Sequence, residues 1–452
     1  MAEFPYTPQT SVHLAAPGMA TMHSDAQSSD ATPLPGPGAR PWNVSTVDLG
    51  GSCPTVLCGS DGFVQVLVTQ RIGSELTFLR PKIVVLDPAT GAVLGELEIA
   101  KGALLGGVYA FLDAADRMVL VDGTNTLMRV AHDPTGSRLW VEERLDLTRF
   151  LNRREGDQVV GLVPDWSGRV WVASGQGQVA VVEESTRTLH ALSLGEGERI
   201  DNSISAAPEG VCVITSRAIY LLDAEPGQAP EVKWRREYDA GSARKPGQLS
   251  WGSGASPTFF GPQGSDYVML SDNADEQEKV QVHRTATGEL VGEAGLFTPG
   301  ASGTENSMIG VGNMIIGASS YGYPYPRYPE NAGESVPKEA PFAPGMERWD
   351  VVDGGLRNIW KRDDLYSSAV PRLSCPDGLV YTCERRPGAL GNGVKIHAVA
   401  IDAATGDTVH EQQLPGLVTF FGVDTLQMVG TISPGGVWWQ GTIGGVIRIA
   451  AA

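Results

Sequence analysis

The chain has 452 residues, 42% hydrophobic and 19% charged, with a formal net charge of −18. That composition is globular and supplies ample core material, and its acidity excludes the electrostatic footprint of a nucleic-acid binder or an anionic-membrane binder. The sequence also lacks the run of about 18 apolar residues that a membrane helix needs.

Five cysteines, Cys53, Cys58, Cys212, Cys375 and Cys383, form no CxxC pair, which argues against a zinc ribbon or a thioredoxin-type site. No signal-peptide pattern precedes Arg40, the first Lys or Arg, so a cytoplasmic location is expected.

In chain order, residues 1–41 read as an extended arm with a polar block, MHSDAQSSD, followed by a stiff proline run at 33–37. Such an arm is either a disordered tail or a segment laid against the body. Its His23, Asp25 and Asp30 carry groups that bind substrates or metals. Strands begin at Trp42, and residues 42–49 alternate once.

Residues 82–94, KIVVLDPATGAVL, then give a strand, a tight turn and a returning strand. Asp87 can accept turn N–H groups, and Gly91 supplies a positive φ that other residues resist. The unit returns at 395–414 as KIHAVAIDAATGDTVHEQQL and, more weakly, at 280–297. Repetition of one hairpin at such distances indicates a repeat architecture.

Similar units start near Ser52, Gly106, Val159, Asp201, Ala255, Thr304, Ala369 and Leu426. Each holds about four strands, the blade of a β-propeller. The fold class expected is therefore all-β, a single propeller of about eight four-stranded blades over residues 42–452, with a Pro/Tyr-rich insertion at 321–344. The last unit is one strand short and residues 42–49 are a spare outer strand, so the two are expected to pair and close the ring.

The LDPATG and IDAATG triplets resemble the repeats of the pyrroloquinoline-quinone-like propeller superfamily. True quinoprotein dehydrogenases of that superfamily hold the quinone with a vicinal cysteine pair. No two cysteines are adjacent here, which argues against a quinone. The SDNAD block (271–275) and the TENS block (304–307) also resemble those of a group of uncharacterised bacterial and fungal propeller proteins.

Inner strands of a propeller line its axis, and loops at one rim form the mouth. Strand parity sends Asn202, Asp272, Asn273, Glu305 and Asn306 to one rim, with Asp275, Thr258, Trp251 and Ser307 nearby and Tyr321 or Tyr323 as a border. Oxygen-rich groups of this mix suit calcium: Glu305, Asn202, Asp272, Asn273 and Asn306 are the candidate metal ligands, of which the first four resemble the ion-holding groups of lactonase and gluconolactonase propellers. Glu305, Asp272, Asp275, Tyr321 and Tyr323 are the candidate catalytic groups. His23, Asp25, Asp30, Trp251, Thr258, Ser307 and Arg372 are the candidate substrate contacts.

A carboxylate at the head of an inner strand needs a partner, and Arg372 is the rival to a cation for Glu305. The reading favoured is an enzyme acting on a small organic molecule, metal-assisted, as a lactonase-like hydrolase or a lyase or isomerase. The alternative is a non-catalytic propeller that binds a protein or sugar partner, and a quinone-dependent dehydrogenase ranks last.

Overall fold

The computed structural model describes residues 6, 8–69, 81–100, 109–151, 156–329, 331–387, 393–416, 418 and 422–452. The first residues of the arm, Gly106 at the head of the second unit and Glu330 in the insertion lie outside them. Eight antiparallel sheets follow one another in chain order, seven of four strands and one of five. The chain is an eight-bladed propeller.

The turn grammar explains the blades. Asp87 Oδ1 accepts the N–H groups of Ala89 and Thr90 at 2.9 and 2.8 Å, and Gly91 sits at φ 78°. Asp402 does the same for Ala404 and Thr405, with Gly406 at φ 79°. Gly406, and Gly288 at φ 68° in the corresponding turn of the fifth blade, each also receive a tryptophan from the preceding blade. Trp234 lies over Gly288 and donates to Thr285 O at 2.8 Å; Trp360 lies over Gly406 and donates to Ala403 O at 3.0 Å. A Cβ at either glycine would collide with the indole, so these glycines serve blade-to-blade packing as well as turn geometry.

Middle strands are sandwiched between neighbouring blades and are buried on both faces. Val170–Ser174 and Val437–Gly441 are fully buried, whereas the outer strand Thr188–Ser193 is largely open to solvent. The last blade is completed by Trp42–Asp48, which pairs antiparallel with Gly445–Ala451 from Trp42↔Ala451 to Asp48↔Gly445. The expected ring closure is thus present, and it removes two sheet edges.

The arm is ordered and threads the axis. Innermost strands leave N–H groups pointing into the channel, and the arm's carbonyls accept them. Cys58 donates to Met19 O, Leu112 to Ala20 O, Ala206 to Ala26 O, Phe259 to Gln27 O, Gly310 to Ser29 O and Leu373 to Asp30 O, at 2.6 to 3.0 Å. These donors come from the first, second, fourth, fifth, sixth and seventh blades. Ala31–Thr32 adds a parallel fifth strand inside the seventh blade.

Candidate functional site

Residues at the heads of the innermost strands ring the axis at the rim opposite the arm's entry. Tyr109, Asn202, Ser256, Glu305, Asn306 and Ser307 line one cavity of about 140 Å³ there. Met22 and His23 of the arm line it from the channel side, and Tyr325 and Arg327 come from the insertion. Leu249, Val370, Leu426, Met428 and Val429 make much of the remaining wall apolar.

Glu305 is half-buried as a residue, yet its Oε2 has neither accessible surface nor a hydrogen-bond partner. A Cβ at residue 254 would come within 2.5 Å of Oε2, so the Gly254 backbone makes room for the carboxyl. Burial pushes this carboxyl well above the usual carboxylate range. The nearby Asp201 and Glu278 add to the shift, while the Leu249 N–H and Arg244 oppose it. The Tyr109 phenol is also pushed up, first by burial and then by Glu305; it accepts the Ser203 N–H and so keeps its own proton to donate.

Below this rim lies a buried polar relay. Ser256 Oγ is 3.3 Å from His23 Nε2, and His23 Nδ1 is 3.1 Å from both Asp30 oxygens. Ser307 Oγ donates to Asp30 Oδ2 at 2.6 Å and lies 2.9 Å from His23 Nδ1. Arg372 pairs with Asp30 at 3.0 Å, both side chains being at most 1% exposed. Arg372 therefore serves Asp30 and is no partner of Glu305. It also donates to Ser24 Oγ, Met22 O and Gly430 O, which fixes the arm.

The remaining residues singled out in the sequence lie elsewhere. Asp272 Oδ1 caps its own hairpin loop by accepting Ala274 and Lys279 N–H groups. Asn273 donates to Ala240 O and Ala243 O, and Asp275 accepts from Ser242. These three do not line the cavity, so the five-oxygen set centred on Glu305 is not assembled. Among the described residues, no group of three or more His, Cys, Asp or Glu is gathered to hold a metal.

Tyr321 packs against Gly303, and Tyr323 donates to Asp424 at 2.6 Å, which Arg385 pairs from the far side. Trp251 stacks under Arg217, and Thr258 bonds Met308 O. Asp25 accepts from Gln27 and Ser29 and lines a separate cavity at the arm's entry; burial raises its carboxyl to about 6.

The insertion forms a lid over this rim. Val336 N–H bonds Arg244 O, Arg199 bonds Asn331 O, and Tyr323 reaches Asp424 near the eighth blade. Tyr109, Tyr325, Arg327 and Gln427 were not among the sequence candidates for the site. Tyr109 precedes the inner strand Ala110–Leu112 much as Ser307 precedes Ile309–Val311, and that shared position was its only signal.

A plugged eight-bladed propeller with an axial cavity at one rim is the class that fold and site define. No family model matches the chain, and no curated protein matches it. Solved structures do. A quinohemoprotein alcohol dehydrogenase from Comamonas testosteroni aligns with TM-score 0.61 at 11% identity over 97% of this chain and 81% of its own. A europium-containing methanol dehydrogenase aligns with TM-score 0.55 at 11% identity over 96% and 98%, and the Dos1 propeller with TM-score 0.55 at 12% identity over 91% and 95%. These likenesses agree with the β-propeller fold of the chain. At such identities they show the fold alone.

Proposed function

We propose that the axial cavity is an active site for hydrolysis of a small, uncharged, largely apolar ester or lactone, with Glu305 as general acid. The observation that supports this reading is the Glu305 carboxyl. It lies in an apolar wall with Oε2 unpartnered, and burial keeps it protonated beyond the range of ordinary carboxylates. A structural role would satisfy that oxygen, because an unpaired buried polar atom costs about 1–3 kcal/mol. A protonated carboxyl in a largely apolar cavity can instead protonate a leaving oxygen.

Calcium would be held by Glu305 with the amide oxygens of Asn202 and Asn306. Calcium takes about six to eight oxygens, usually with several carboxylates. Three protein ligands with one carboxylate fall short of that, so the mechanism is derived without a metal.

The test is turnover of a panel of short esters and lactones by the wild-type protein and by Glu305→Gln. General acid catalysis contributes about 10²–10⁴-fold, so that loss is expected with an unchanged melting temperature. No turnover of any panel member, or equal turnover by both proteins, overturns the proposal.

A further inference from the structure

We propose that Ser256 is the nucleophile of this cavity, with His23 as its base and Asp30 as the residue that positions His23. The inference rests on the cavity being catalytic and identifies how the ester or lactone is opened. The geometry carries it. Ser256 and His23 both line the cavity, and Ser256 Oγ is 3.3 Å from His23 Nε2. That separation is the reach expected before substrate tightens the pair.

Asp30 is fully buried and meets His23 Nδ1 at 3.1 Å through both oxygens. With Arg372 at 3.0 Å and Ser307 both donating to Asp30, the carboxylate is the acceptor toward the ring, which makes Nδ1 the donor and leaves Nε2 as the acceptor facing Ser256. Ser307 Oγ, donating to Asp30, completes the carboxylate's partners. Nucleophile, base and orienter are thus in the order that acyl-transfer chemistry requires, on a fold and in a chain order of their own.

The base and its orienter come from the arm, and the nucleophile comes from the fifth blade. Threading the arm therefore assembles the site. Ser24, Ser28 and Asp30 take positive φ values of 79°, 57° and 51° in this segment. Such backbone is costly for residues with a Cβ, and it clusters where surrounding structure must fix side-chain positions.

The step balances as follows. Ser256 Oγ bonds to the carbonyl carbon while its proton passes to His23 Nε2. The C–O bond to the leaving oxygen breaks, and that oxygen takes the proton of Glu305. Water then attacks the acyl–Ser256 ester, giving a proton to the Glu305 carboxylate, and the imidazolium returns its proton to Ser256 Oγ. The net change is ester plus water to acid plus alcohol.

A short-chain alkyl fluorophosphonate tests this without a known substrate. Ser256 Oγ displaces fluoride, which needs no proton from Glu305, and the adduct is located by peptide mass spectrometry. One adduct on Ser256 is expected, slowed at least about 100-fold in His23→Gln. Asp30→Asn, which can turn an amide N–H toward Nδ1 and so misplace the ring's proton, slows labelling as well.

No adduct on Ser256, or an adduct formed at the wild-type rate in a folded His23→Gln, overturns the proposal. If the ester panel is still turned over in a Glu305-dependent way, the relay fails while the cavity's function stands.

Discussion

Arg372→Met should loosen the arm and with it the floor of the cavity. Arg372 and Asp30 are 1% and 0% exposed in their side chains, and the guanidinium is 3.0 Å from the carboxylate. Burial disfavours this cation and lowers its pKa, and Asp30 and Asp25 only partly oppose that. Such a pair contributes little net stability when intact, but removing one member strands the other charge, at about 3–5 kcal/mol.

The mutation also deletes donors to Met22 O, Gly430 O and Ser24 Oγ, while His23 and Ser307 still face Asp30. A loss near the lower end of that range, about 3 kcal/mol, follows. Guanidinium unfolding measures the total. Hydrogen exchange at the Gly310 and Leu373 amides, which donate to Ser29 and Asp30 carbonyls, locates it. The double variant Arg372→Met/Asp30→Asn should recover part of the loss, because no charge is then left unpaired. A single-variant loss under about 1 kcal/mol, or unchanged exchange at both amides, would refute this account of the arm.

Two further outcomes follow from the fold. Removing residues 1–50 deletes the threaded arm and the Trp42–Asp48 strand, so the melting temperature should fall sharply, whereas removing residues 1–12 should leave it nearly unchanged; equal melting temperatures would contradict the closure. Asp272→Asn should stabilise the protein at pH 7.5 and leave it unchanged at pH 3.5. Burial lifts Asp272 from 3.8 to about 6 against the pull of the Lys279 and Ala274 N–H groups and Lys245, with Asp239 adding to the rise. The folded state therefore binds the proton more tightly, and wild-type stability falls as pH rises from about 4 to 6, by at most about 3 kcal/mol. Denaturation midpoints at the two pH values check the sign.

The propeller was legible because its signals are local. Asp87, Thr90 and Gly91 build a turn from four or five adjacent residues, and the missing strand near Gly445 matched a spare one at Trp42. Ring closure by the N-terminal strand was therefore readable by counting. Of the residues that strand parity sends to one rim, Asn202, Glu305, Asn306 and Ser307 line one cavity.

Parity gives the rim but not the depth. Asp272 and Asn273 reach that rim and are taken up by the N–H and C=O groups of their own loops, a demand invisible in a strand pattern. The arm was ambiguous because its polar block has the composition of a tail. What orders it is a set of N–H donors on six distant strands and an arginine 350 residues away from the Met22 carbonyl it binds. The relay was hidden for the same reason, since 233 residues separate His23 from Ser256.

The central claim is that Glu305 works as a protonated acid in the axial cavity. The pH profile of kcat/KM, taken with the best substrate of the ester and lactone panel, tests it most directly. A general acid acts in its protonated form, and the Glu305 carboxyl keeps its proton well above the usual carboxylate range. The limb that falls with rising pH should therefore lie above the range in which ordinary carboxylates ionise. Glu305→Gln should lack that falling limb and sit about 10²–10⁴-fold lower. The same falling limb in both proteins, or a limb that falls with rising pH in the ordinary carboxylate range, would contradict the account.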